Sequence, residues 1–234
     1  MSTMARTSLD MRGKTITTFI AYETLKQLGD LTDGESLELL TDAREEIDND
    51  IRAWCRTRGQ ELTAAGQTDG SQQYVITRQP LRPSGKRYAA VISDAGLEEL
   101  LSPLAFALAA ALEGSDVSLY FQGPAVRVLA KGFTEHLHGL GRPFSRFARA
   151  GLTRAGHIPA QEKLRQLQAL GARLYACAGS MQHFKVARTD LAFSDVTVAE
   201  YLTFMETMAS ADINVFSQLS RPAYSGCQLQ TVPR

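Results

Sequence analysis

The sequence predicts an α/β fold built as two units: an N-terminal two-layer βαβαββ sandwich and a C-terminal doubly wound parallel α/β domain. Three observations lead there. Along residues 8–77 the spacing of apolar residues switches between two and three-to-four, as strands and helices require. Residues 78–86, "RQPLRPSGK", hold two prolines and a glycine and show no period, the mark of a linker. From residue 88 onward short buried runs alternate with helical ones, which implies parallel strands joined by right-handed crossovers. The expected division is residues 1–78, a linker at 79–86, an α/β domain at 87–217 and an irregular tail at 218–234.

In the first unit, residues 8–11 read as a short strand. Residues 16–28 place Ile16, Phe19, Ile20, Leu25 and Leu28 at helical spacing, and "GDLTDGES" follows as a turn. Leu37, Leu39 and Leu40 mark a strand. Ile47, Ile51, Trp54 and Cys55 then line one face of a second helix that stops at Gly59. Residues 61–65 and 73–77 flank "GQTDGS", whose Asp69-Gly70 pair signals a hairpin.

In the second unit the expected strands are residues 88–93, 117–121, 173–176 and 212–216. The expected helices are 97–112, a short one at 125–131, 161–170 and 198–209. Between them "RPFSRFARAGLTRAGHIP" reads as a long basic loop with some helix.

The 234 residues are 44% hydrophobic and 21% charged, with 25 lysines and arginines against 25 aspartates and glutamates. That balance leaves no bulk field to draw nucleic acid or an acidic membrane surface. The longest apolar run, residues 104–112, is well short of the roughly 20 needed to cross a bilayer, and "MSTMARTSLD" lacks a signal-peptide core. A cytoplasmic location, with no membrane or nucleic-acid partner, is expected. Three cysteines without CxxC spacing argue against a disulfide framework or a cysteine zinc site and for free thiols. No cofactor motif is evident.

Each thiol has its own setting. Cys177 follows the strand "RLYA" and precedes "AGSMQHF", where Gly179 permits a sharp turn and Ser180 is able to cap a helix. In doubly wound folds reactive groups gather at such carboxyl ends, and backbone N–H groups there favour a thiolate. The competing reading is a small buried hydrophobe. Cys55, beside Trp54 on an apolar face, reads as core, and Cys227 sits in the tail with no activating neighbour.

His136 and His138, two apart on a helix, point to different faces, and no metal set accompanies them. His183 reads as a surface residue. Arg142, Arg146, Arg149, Arg154 and His157, interleaved with Phe144 and Phe147, suit RNA or an anionic thiol cofactor, but zero net charge favours a solvated loop packing its phenylalanines. Folded over Cys177, those arginines would support its thiolate.

The stretches "LYFQGPAV", "LYACAGSMQHFKVARTDL" and "VTVAEYLTFMETMASADINVFS" resemble the DsrE/DsrF-like sulfur-relay family from about residue 86 to 216. The resemblance implies Cys177 as a sulfur acceptor that carries a persulfide, and self-association into ring-like or stacked oligomers. "LDMRG", "LTDGESLELLTD" and "IDNDIRAWCRTRGQEL" resemble the TusA-like sulfur carriers over residues 8–78. That family places Cys-Pro-x-Pro at the start of its first helix, where this chain has Ile16, Thr17, Thr18 and Phe19. No thiol is present, and a threonine hydroxyl is too weakly acidic to replace one. Thr15, Thr17 and Thr18 read as helix caps or exposed polar residues, and the unit as a docking or assembly module. The expected function is sulfur relay on Cys177 between unidentified donor and acceptor proteins, as a sulfurtransferase or carrier. The alternative is a noncatalytic assembly protein.

Overall fold

The computed structural model describes residues 7–137 and 145–217. Cys227, His138, Arg142 and Phe144 lie outside them.

The N-terminal half runs β1 (Thr7–Asp10), α1 (Thr17–Gly29), β2 (Ser36–Asp42), α2 (Glu45–Arg58), β3 (Glu61–Thr68) and β4 (Ser71–Thr77). Its sheet has the order β1-β2-β4-β3, with β1 parallel to β2 and the other pairs antiparallel. Local chemistry explains the elements. Glu45, Glu46 and Asp48 occupy the first turn of α2 and Arg56 and Arg58 its last, matching the helix dipole, and Gly59 ends it at φ +73°. Asp69 and Gly70, at φ +50° and +74°, form the tight turn that twists with its strands.

The C-terminal half is a five-stranded, fully parallel sheet of order β8-β7-β6-β5-β9. Its strands are β5 (Arg87–Ile92), β6 (Asp116–Phe121), β7 (Arg173–Cys177), β8 (Val196–Ala199) and β9 (Ile213–Phe216). Its helices are α3 (Leu97–Leu112), α4 (Ser145–Arg154), α5 (Ala160–Ala169), α6 (Ala178–His183) and α7 (Tyr201–Ala209), with a 3-10 turn at Gly123–Leu129. β5 and β6 are buried at every position but the first, because helices cover both faces. α3 and α5 lie on one face; Phe204 and Met208 of α7 pack with Ala89, Val91, Tyr120 and Cys177 on the other.

The two halves share one core. α1 packs on α3, and a single apolar cluster runs from Ile20, Ile51 and Trp54 into Leu104, Leu108 and Leu112. Trp54 Nε1 donates to the Leu112 carbonyl at 3.2 Å, filling one of the acceptors that a helix end leaves open. Residues 79–86 form neither helix nor strand, yet Arg82 N bonds to Arg58 O and Ser84 N to Gly114 O, tying the segment to both halves. Among the described residues no helix is long and apolar enough to cross a membrane.

One expectation needs correction. Residues 198–209 do not form one helix: Val198 and Ala199 belong to β8, an edge strand that the reading missed, and α7 begins only at Tyr201. The β-branched run Val196 to Val198 pairs with β7 instead of coiling.

Candidate functional site

Cys177 is the last residue of β7 and the N-cap of α6. Parallel pairing sets it opposite Ala199, the last residue of β8, so the next residue of that chain, Glu200, arrives beside the thiol. Cys177 Sγ lies 3.9 Å from Glu200 Oε2, while Glu200 Oε1 accepts from Gly179 N at 2.9 Å. From below, Ser180 N donates to Sγ at 3.4 Å. The Ser180 hydroxyl accepts from Gly123 N at 2.8 Å, tying α6 to the turn after β6. Ser180 therefore does not cap α6, as the sequence had suggested: the thiol itself takes that place.

β6 contributes Tyr120, stacked on Phe204 with ring centroids 4.8 Å apart and tilted against Tyr201 at 6.1 Å. Its hydroxyl is buried and interacts with Cys177 without completing a hydrogen bond of full geometry. Burial, and then the neighbouring sulfur, raise the Tyr120 pKa, so the phenol stays protonated as a donor for a thiolate. Tyr201 is likewise raised, chiefly by the charge of Cys177.

For Cys177 itself, burial raises the pKa. Hydrogen bonds from Ser180 and Tyr120 outweigh that cost and the opposing charge of Glu200, and the thiol is held below its ordinary value. The residue is only 2% exposed, while its neighbours Glu200 and Tyr201 are at the surface.

These causes set the sign of two substitutions. Glu200→Gln removes a charge that disfavours the thiolate and is expected to lower the pH midpoint of Cys177 alkylation. Tyr120→Phe removes a donor and is expected to raise it. Iodoacetamide labelling across pH, followed on the Cys177 peptide, measures both, and a shift of either in the other direction contradicts this account of the site.

The remaining candidates fall elsewhere. Cys55 is 1% exposed and burial pushes its thiol up to about 12, as a core cysteine requires. Ile16, not a threonine, is the N-cap of α1 and makes no side-chain cap; Thr17 Oγ1 instead donates to Asp50 at 2.6 Å. The N–H groups of Thr15 and Ile16 both point to the carbonyl of Ala155, at 2.9 and 3.1 Å. The residues just before α1 are thus tied to backbone of the C-terminal half, while Ile16, Thr17 and Thr18 stay half-exposed. A Cβ on Gly156 would come within 3.1 Å of Phe19, which shows how closely that segment is seated.

The described end of the basic loop therefore lies on α1. Arg146, Phe147 and Arg149 fall within α4, Arg154 is exposed, and His157 is buried 3.8 Å from Glu135. Lys163, buried beside the same carboxylate, is lowered to about 8 by desolvation. His136 and His183 are exposed. Among the described residues no three His, Cys, Asp or Glu side chains converge as a metal site would need.

Sequence reasoning placed Cys177 at a strand end before a helix but did not bring Glu200, Tyr120 or Tyr201 to it. The signal for Glu200 was the alternating "VTVA" before it, which marks a strand end aligned with that of β7.

Comparison with curated proteins found none that matches the chain. Among solved structures it is similar to the ychN protein from E. coli, with 14% identity over 56% of this chain and 98% of that one, at a TM-score of 0.40. Residues 86–216 match the DsrE/DsrF-like family. That span is more than half of the 234 residues and takes in every strand of the parallel sheet, and on it the chain belongs to the DsrE/DsrF-like family.

Proposed function

We propose that the protein is a sulfur-relay component that accepts sulfane sulfur on Cys177 and passes it on as a persulfide. The observation that carries this reading is the thiol at the end of β7, held below its ordinary pKa by Ser180 and Tyr120. Membership of the DsrE/DsrF-like family supports it. In the loading step the Cys177 thiolate attacks the outer sulfur of a donor persulfide. The donor S–S bond breaks, a new S–S bond forms on Cys177, and the donor leaves as a thiolate with the electron pair. No external oxidant is needed. Transfer to an acceptor thiolate is the same exchange in reverse sense.

The donor and acceptor are proteins, and the setting is the cytoplasm, where free thiols persist. Self-association is part of the proposal. Leu202 is 87% exposed, Phe216 62%, Tyr201 57% and Met205 53%, a concentration of apolar surface next to the thiol that suits burial against another copy. We take residues 1–78 as a TusA-like unit without its thiol, acting in docking or assembly; Ile16, Thr17 and Thr18 at the start of α1, none of them a thiol, support a noncatalytic role.

The same apolar face favours a second reading, in which the whole chain is an assembly protein and Cys177 is structural. Cold cyanolysis separates the two. After incubation with a persulfide donor and removal of excess, relay predicts thiocyanate stoichiometric with protein. A yield no greater than from protein denatured and alkylated beforehand leaves the assembly reading.

A further inference from the structure

α1, α2 and α3 leave a slot between them on the seam of the two halves, walled by Ala21, Ala53, Trp54, Ala109 and Leu112. Each helix presents an alanine there, and the short side chains leave about 150 Å³ open to solvent. That is below the range of small-molecule sites and is room for one long side chain. The slot lies at the amino edge of the parallel sheet, because α3 runs back from the end of β5 to the start of β6. Cys177 is at the opposite, carboxyl edge.

The rim of the slot is negative. Asp50 of α2 and Glu113, the C-cap of α3, both border it and are exposed, and among the described residues neither forms an ion pair. A carboxylate is unfavourable at the carbonyl end of a helix, and the last turn of α3 holds no basic residue to offset it. Arg58 does not take that part: it lines a different recess and donates to the Arg82 carbonyl. The amino end of α1 also borders the slot, but its groups are already answered. Thr17 Oγ1 donates to Asp50 at 2.6 Å, and the N–H groups of Thr15 and Ile16 bond to the Ala155 carbonyl. One turn from Ala109 on the same face of α3, Phe106 is 65% exposed.

We propose that this slot is a docking site for a partner protein, which inserts an arginine side chain between Asp50 and Glu113 and lays an apolar neighbour on Phe106. The charge complements the rim and relieves the carboxylate at the end of α3. The methylene stem of an arginine suits the alanine and tryptophan walls, and its planar fork serves two carboxylates on different helices better than the point charge of a lysine. Because α1 and α2 come from the N-terminal half and α3 from the C-terminal half, the slot exists only in the joined chain. A partner held there leaves the thiol edge uncovered. The site gives the docking role of residues 1–78 a surface and does not depend on sulfur relay, which the thiocyanate yield reads by itself.

The test titrates the full chain with the peptide acetyl-Leu-Arg-Leu-amide and with its citrulline counterpart, which has the same shape and no charge. Trp54 is the only tryptophan in the chain, so its fluorescence reads the slot directly, and amide NMR maps the contact. The arginine peptide at about 10 mM, enough to fill a millimolar site, is expected to change Trp54 emission saturably and to shift the amides of Thr18, Ala53 and Glu113. The citrulline peptide is expected to have little effect. The double variant Asp50→Asn, Glu113→Gln is expected to weaken binding about tenfold while keeping the native pH midpoint of Cys177 alkylation, which shows that it is folded. Ala109→Leu, which fills the slot from α3, is expected to weaken binding without touching either carboxylate. The proposal is overturned if the citrulline peptide binds as well as the arginine one, if neither binds, if the shifts map elsewhere, or if either folded variant binds as wild type does. Butylguanidinium binding as tightly as the peptide also overturns it, since the slot would then take a free small cation.

Discussion

Cys177→Ser is expected to abolish persulfide loading while leaving the fold intact. Serine is close to cysteine in size, and its oxygen still accepts from Ser180 N, so the start of α6 keeps its cap; serine is among the better residues for that position. The Tyr120 hydroxyl gains an oxygen acceptor in place of sulfur. What is lost is the acidity: a hydroxyl does not ionise near neutral pH and cannot attack a sulfane sulfur. Far-UV circular dichroism and the urea midpoint should match those of the native chain, with no thiocyanate released after donor treatment. Undiminished loading in the variant would move the chemistry to another thiol.

Trp54→Ala is expected to cost about 3–5 kcal/mol, a large share of a typical domain's stability, and to lower the unfolding midpoint of both halves together. Trp54 is 5% exposed among α1, α2 and α3, and its indole N–H satisfies the Leu112 carbonyl. Removing it opens a cavity on the seam and leaves that acceptor without its partner. Since the apolar cluster is continuous across the seam, the loss is felt on both sides. Urea unfolding by hydrogen exchange with mass spectrometry reads each half separately. Unfolding confined to the N-terminal half, with the parallel sheet keeping its native midpoint, would show that the seam does not couple them.

Much of this architecture was legible because local chemistry and tertiary need agree. Residues 97–112 form α3 over the bounds that their apolar spacing implies, and Gly59 and Asp69-Gly70 stop and turn the chain where only left-handed backbone serves. The failures share a cause. β8 is four residues long and runs almost directly into α7, so a period-two signal was absorbed into the helical one that follows. That concealed Glu200, whose place beside Cys177 comes from the alignment of two strand ends. Tyr120 reads in sequence as one more buried strand residue; only the pairing of β6 with β7 brings its hydroxyl to the sulfur. Cys177 was legible by itself because its strand end needs no partner to be recognised, whereas everything that tunes it comes from other strands.

The most direct measurement is the peptide-resolved mass of the native protein after incubation with a persulfide donor at neutral pH, with free thiols blocked before digestion. The account predicts a gain of about 32 Da, one sulfur atom, on the peptide carrying Cys177, and none on the peptide carrying Cys55, whose thiol is buried and stays protonated. A Cys177 peptide that stays unmodified while the sulfur appears on Cys227, or nowhere, would contradict it.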